Sequence, residues 1–382
     1  MEPAEAPMRI LSFGVLCALS GALASCGAIL GLSEPTLDNT IGDGGGGDGA
    51  GGDGGACSQD CLGGACVGGQ CQPVAIAMNQ AGPFFVREYG ARVFWTDITG
   101  SSVQSADKVD ASMTLIATGT NGADGPIGLA VDDSGVYFAN SGTSGTVYRC
   151  NAASCQGANP LFDAGFGNTD LALASGNVYW LQAYGDEIDR APIGGGAYIT
   201  ITPTDTNNNA AYLARMVTDG QYVYWSETFN DIIRRKAISG GSPATIYTLM
   251  SGSAPSAILL DTGVLYFATF GVGNGTGTIS SGSPDGTGGA QTLATAQHNP
   301  YALTSDDTNL YWTNECDYDS NENAITGTGS VFSCAKTGCG GNPTVLATGL
   351  TDARGIAVDD TAIYFATFET GNGDGKIWRL AK

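Results

Sequence analysis

One histidine, His298, stands among 37 carboxylates and 11 cysteines in a chain of 382 residues with only 15 lysines and arginines. These are the side chains with chemistry to offer. A single histidine removes any histidine cluster and most serine–histidine arrangements, and a lone loop histidine is more often structural or exposed than catalytic. Paired carboxylates suit a hydrolase or a lyase, and here they are too abundant to single out a pair. No residue is assigned a catalytic role. Gly271 to Gly277 and Gly371 to Gly375 read as loops, because no helix follows to make a phosphate cradle. The formal net charge of −22 argues against nucleic acid or an anionic membrane surface as a direct partner, since both need basic patches.

The cysteines fall into groups. Cys57, Cys61, Cys66 and Cys71 are separated by three, four and four residues, while Cys150 and Cys155 flank four residues, as do Cys334 and Cys339. In an exported protein this spacing reads as disulfides. Two lie within the first group, with three possible connectivities, and one in each later pair. Both later pairs stand at the end of a short strand, Val147-Tyr148-Arg149-Cys150 and Val331-Phe332-Ser333-Cys334. A zinc knuckle is the alternative for the first group, but zinc sites favour closer cysteine pairs and often histidine. Cys316 is left over, as a free thiol or an intermolecular link.

One loop could hold a metal. Asp317-Tyr318-Asp319-Ser320-Asn321-Glu322-Asn323 places oxygens at alternate positions, so Asp317, Asp319 and Asn321 are candidate ligands for calcium. Glu322 occupies the place of the sharp-turn glycine, and Thr328 that of a bidentate glutamate. An insertion loop without metal is the plainer reading, and no other cofactor is expected.

These residues are positioned by a short aromatic strand that occurs seven times. It reads Val93-Phe94-Trp95-Thr96-Asp97, Val136-Tyr137-Phe138-Ala139-Asn140, Val178-Tyr179-Trp180, Val223-Tyr224-Trp225-Ser226-Glu227, Leu265-Tyr266-Phe267-Ala268-Thr269, Leu310-Tyr311-Trp312-Thr313-Asn314 and Ile363-Tyr364-Phe365-Ala366-Thr367. The aromatic pair returns every 42 to 45 residues, with one gap of 53, and such a period marks a repeat architecture. Before each copy stands a short apolar run ending in a turn, as in Gly128-Leu129-Ala130-Val131-Asp132-Asp133, which is a hairpin signal. A third and a fourth strand follow. Four short antiparallel strands, repeated radially, predict an all-β, seven-bladed β-propeller. The seventh unit ends after its third strand, and Val74-Ala75-Ile76-Ala77 stands alone before the first. This N-terminal strand is expected to complete the last blade and close the ring.

Phe94-Trp95-Thr96-Asp97 and Tyr311-Trp312-Thr313-Asn314 resemble the YWTD repeat of lipoprotein-receptor propellers. The resemblance covers residues 74–382 as architecture and implies a propeller that binds protein ligands. That family has six blades, so seven copies depart from it, and five copies lack the threonine, the acid or both.

Residues 1–26 read as an export signal, with Met8-Arg9, an apolar run from Ile10 to Ala24, and Leu23-Ala24-Ser25-Cys26, which resembles a bacterial lipobox. That resemblance implies a diacylglycerylated Cys26 at the mature N-terminus. Ala22-Leu23-Ala24 as a simple cleavage site, or an uncleaved anchor, are the alternatives, although the run is short beside the ~20 apolar residues of a spanning helix. Residues 27–56 are a glycine- and aspartate-rich tether that reaches on the order of 30 Å. Residues 57–73 form a small disulfide-rich segment, and 74–382 the propeller.

In a propeller the strand 2–3 loops and the connections between blades share one face, where ligands of such folds usually bind. Candidate ligand-binding residues there are Asp97, Glu187, Glu227, Asp231, Glu315 and His298, with the aromatics Tyr184, Phe229 and Phe270, which are of a type enriched at binding hot spots. Ordinary solvated loop residues are the plainer reading of the acids. The expected function is that of a monomeric, non-enzymatic cell-envelope lipoprotein, periplasmic or surface-exposed, whose propeller binds a protein or glycan. The alternatives are an extracytoplasmic propeller hydrolase or lyase using channel-mouth carboxylates, and a calcium-stabilised structural repeat protein.

Overall fold

The computed structural model describes residues 57–382 apart from 120–122, 142–144, 156–159, 164–166, 183–186, 203–212, 322 and 370–372. The segment read as an export signal, Cys26, the segment read as a tether, Tyr184 and Glu322 lie outside the described residues. No helix among the described residues is long and apolar enough to cross a membrane.

Seven four-stranded antiparallel sheets form the blades of a β-propeller. Their first strands are Pro83–Tyr89, Pro126–Asp132, Asn168–Ala174, Leu213–Thr218, Pro255–Asp261, Pro300–Ser305 and Ala353–Val358. Each packs beside the first strand of the next blade, and the seventh beside the first, so these strands surround a central channel. The repeated aromatic segments are the second strands, from Arg92–Asp97 in blade 1 to Ala362–Thr367 in blade 7. In blade 7 the third strand, Gly375–Ala381, pairs on its outer side with Val74–Gln80, so the two ends of the propeller share one sheet.

The aromatic pair is buried because each blade is covered on both faces by its neighbours, which also explains why these strands are apolar at consecutive positions. Trp95, Trp180, Trp225 and Trp312 are fully buried, as are Tyr137, Tyr179, Tyr224 and Tyr364. Each contributes roughly 2–3 kcal/mol of apolar burial. Several of their polar atoms are answered locally, whereas the Tyr179 hydroxyl and the Trp180 indole have no hydrogen-bond partner among the described residues. The Tyr311 hydroxyl donates to Asp306 at 2.7 Å, that of Tyr224 to Asp219 at 3.0 Å, and that of Tyr364 to Asp359 at 3.2 Å. In each case the other carboxylate oxygen accepts backbone N–H groups of the strand 1–2 turn. The indole N–H groups of Trp95 and Trp312 donate to Gln80 and Gln297, in the fourth strand of the preceding blade, at 3.0 and 2.9 Å.

Four disulfides join Cys57 to Cys66, Cys61 to Cys71, Cys150 to Cys155 and Cys334 to Cys339. Such a set fits a protein of an oxidising, extracytoplasmic compartment. Cys316 is buried and unbonded to sulfur. The segment before the propeller packs Cys57, Cys61 and Leu62 against the apolar layer of blades 6 and 7, and Arg379 of blade 7 donates to the Leu62 carbonyl.

Candidate functional site

Every first strand is interrupted in the same way. One residue pairs with the end of the second strand, one extra residue intervenes, and pairing then resumes, as between Pro83 and Val86, Pro300 and Ala302, or Ala353 and Ile356. The irregularity recurs in all seven blades. A bulge bends its strand and re-aims a side chain, and here it sits where the innermost strand leaves the loop-bearing face. The threonine of the aromatic strand serves this bulge. Thr96 Oγ1 accepts from the Phe85 N–H at 3.2 Å and donates to the Ile127 carbonyl of the next blade at 3.1 Å, and Thr313 donates to the Arg354 carbonyl at 2.6 Å.

The bulge residues of four blades meet across the channel as alternating guanidinium and aromatic groups. Arg215 of blade 4 lies 4.9 Å from the Phe85 ring centre and 5.2 Å from that of Tyr301. Arg354 of blade 7 lies 5.1 Å from Tyr301, 5.0 Å from Phe84 and 4.6 Å from Phe368. Phe84 meets Tyr301 edge-on at 5.7 Å. Cation–π pairs gain strength when desolvated, and Arg354, Phe84 and Tyr301 are all buried. Arg354 is also ion-paired, to Asp352 at 2.8 Å and Glu315 at 2.8 Å. Burial works against its charge, but Asp352 and Glu315 outweigh burial and hold its pKa well above the ordinary value. Burial likewise raises the Glu315 carboxyl, and Arg354 pulls it back.

Glu315 is thus the candidate acid that reaches the channel mouth, and Phe270 lies near it in the fold, half-buried and 6.4 Å from Tyr301. The other acids are dispersed. Asp97 is buried and accepts from the Ala81 N–H at 3.0 Å and from Gln104 at 3.3 Å, and burial raises its pKa to about 6. Glu227 is buried and holds the Trp225 indole at 3.0 Å, Asn230 at 2.8 Å and Arg234 at 3.1 Å. Asp231 has a left-handed backbone and accepts the Gly252 and Ala254 N–H groups, each at 2.7 Å. Glu187 starts the third strand of blade 3, opposite Gln182. Phe229 is exposed. His298 Nδ1 meets Asp317 at 2.7 Å with the imidazole half-exposed. Asp319 accepts from the backbone N–H groups of Asn321 and Asn323 at 2.8 and 2.9 Å. Asp317 thus faces His298, which lies outside the loop, and Asp319 holds backbone N–H groups within it.

The channel group was not legible as a site. Phe84, Phe85, Tyr301, Arg215 and Arg354 come from different repeats and look like ordinary strand residues. The available signal was positional. Phe84, Tyr301 and Arg354 all follow the first residue of a first strand, and arginines are scarce in this chain.

No family model matches the chain, and none of the curated proteins does. Solved structures do. Virginiamycin B lyase from Staphylococcus aureus, in a catalytically inactive form with quinupristin, superposes with a TM-score of 0.61 at 17% identity, covering 81% of this chain and 98% of that one. The WD40 β-propeller domain of Doa1 gives 0.59 at 14% identity, covering 80% and 94%. The computationally designed Ika8 protein gives 0.53 at 13% identity, covering 80% and 98%. Likeness at these identities establishes the propeller fold.

Proposed function

We propose that this is a non-enzymatic protein of the cell envelope, exported and held at a membrane through an acylated Cys26, whose propeller captures a protein partner on its loop face. The observation that carries the reading is an apolar arc over blades 4 to 6. Phe229, Met250, Val272 and Ile325 are 47, 83, 66 and 41% exposed, and all four stand in strand 2–3 loops or blade connections. The loops that carry them are linked. Asp231, two residues after Phe229, fastens the 249–254 connection, and a side chain added at Gly252 would meet Val272 at 2.7 Å. Asn274 then ties the Val272 loop to the Ile325 loop by donating to the Tyr318 carbonyl at 2.8 Å. Exposed apolar groups gathered on linked loops of one face mark interaction surfaces.

The carboxylates that a hydrolase or lyase would use support the same reading from the other side. Asp97, Glu227, Asp231 and Glu315 are committed to backbone N–H groups, tryptophan or arginine. The enzyme alternative keeps one geometric element, the His298–Asp317 pair, and gives the apolar arc no role.

The test replaces Phe229, Met250 and Val272 together by serine and compares cross-linked partners on the cell envelope. The expected result is a protein partner captured by the native chain and lost from the triple variant, with the melting temperature of the variant unchanged. Equal capture by both would remove the reading, and capture of glycan alone would replace the partner class.

A further inference from the structure

Beneath the guanidinium–aromatic group the channel holds a cavity of about 390 Å³, lined by the first strands of blades 1, 3, 4, 5, 6 and 7. That is the size of a small-molecule site. Its wall is mixed, polar and apolar in similar measure, with Met216, Ile258, Leu259, Leu303 and Ile356 on the apolar part. Four charged residues interrupt it, and three are occupied. Asp170 accepts the N–H groups of Leu171 and Met216, each at 2.9 Å. Glu88 is held by Lys108 at 2.6 Å. Arg215 donates to the Ala214 carbonyl at 2.9 Å and stacks on Phe85 and Tyr301.

Arg87 is different. Among the described residues its guanidinium makes one hydrogen bond, to the Val86 carbonyl of its own strand at 3.1 Å, and otherwise lies 5.1 Å from the Phe85 ring centre. A guanidinium carries five N–H donors in a planar fork that matches a carboxylate. Burial lowers the pKa of Arg87, Asp170 opposes that shift and Arg215 adds to it.

We propose that this cavity binds a small organic monocarboxylate, with the acid on the Arg87 fork and an apolar body against Leu259, Leu303 and Ile356. The space is larger than an inorganic ion needs, and part of its wall offers apolar contact. A dianion is disfavoured, because the carboxylates of Asp170 and Glu88 line the same cavity. This site is separate from the apolar arc, and either can fail without the other.

Titration calorimetry with benzoate on the purified protein tests the proposal, with benzamide as the neutral probe of the same shape. One benzoate per chain and no measurable benzamide binding are expected, and Arg87→Gln should weaken benzoate at least tenfold with the far-ultraviolet circular dichroism unchanged. Leu303→Trp, which fills the cavity and leaves Arg87 in place, should abolish binding. The proposal is overturned if benzoate does not bind the native protein, if benzamide binds equally well, or if Arg87→Gln or Leu303→Trp binds benzoate as tightly as the native chain. The two probes are compared on the native protein, so the test stands even where a variant does not fold.

Discussion

Asp97 shows what the acid of the aromatic strand does. Its carboxylate caps the Ala81 N–H at the junction between blades 7 and 1, and burial lifts its pKa from 3.8 to about 6. The folded state therefore holds this proton more tightly than the unfolded chain does. The favourable contribution is full below about pH 4 and is lost as pH rises through about 6. Asn stands at the equivalent place in blades 2 and 6, as Asn140 and Asn314. An amide keeps the acceptor and removes the buried charge, so Asp97→Asn should stabilise the protein by about 1–3 kcal/mol at pH 7.5. At pH 4 it should change little. Denaturant melts at the two pH values check this, and a loss of stability at pH 7.5 would mean that the charge itself is needed at the junction.

At the scale of the strand and its turn, the repeated aspartate before the aromatic pair is a clamp. Asp306 accepts the Thr308 and Asn309 N–H groups of its turn at 2.8 and 2.7 Å, the Tyr311 hydroxyl at 2.7 Å and the Lys382 ammonium at 2.5 Å. Asp307, next in sequence, is exposed. Asp306→Ala should cost roughly 2–4 kcal/mol, since several bonds to a charged acceptor go at once. Asp307→Ala should stay within about 0.5 kcal/mol. Similar effects from the two substitutions, measured by chemical denaturation, would refute the clamp. The turn was legible in Asp-rich hairpin signals, but the tyrosine bond was not. A residue five positions on reaches back to the carboxylate only once the strand has paired.

For the whole molecule, the ring puts Cys316 out of reach. It is fully buried in the loop after the second strand of blade 6, and burial raises its thiol pKa, with Glu315 and Asp352 adding to the effect. A thiol protonated and excluded from solvent is inert. Iodoacetamide should leave the Cys316 peptide unmodified in the native protein and alkylate it completely after denaturation, as read by mass spectrometry. Native alkylation would show that the blade 6 loop opens readily. The same closure brings residues from blades 1, 4, 6 and 7 together across the channel, at sequence distances no local pattern relates.

The sequence by itself determined the blade. Period, aromatic pair, turn aspartates and cysteine spacing are local features, and each specifies a strand, a turn or a staple within one repeat. The tertiary structure alone decided which polar side chains are structural and which face the channel. That depends on the recurring bulge and on how seven blades meet at the axis. Asp97, Glu227 and Glu315 look alike in sequence as loop acids, yet one caps a blade junction, one holds an indole and one pairs with Arg354. Arg87 and Arg354 look alike as strand arginines, yet one is ion-paired and the other lines the cavity. Burial and charge partners are properties of the closed ring, and a repeat read one unit at a time does not contain them.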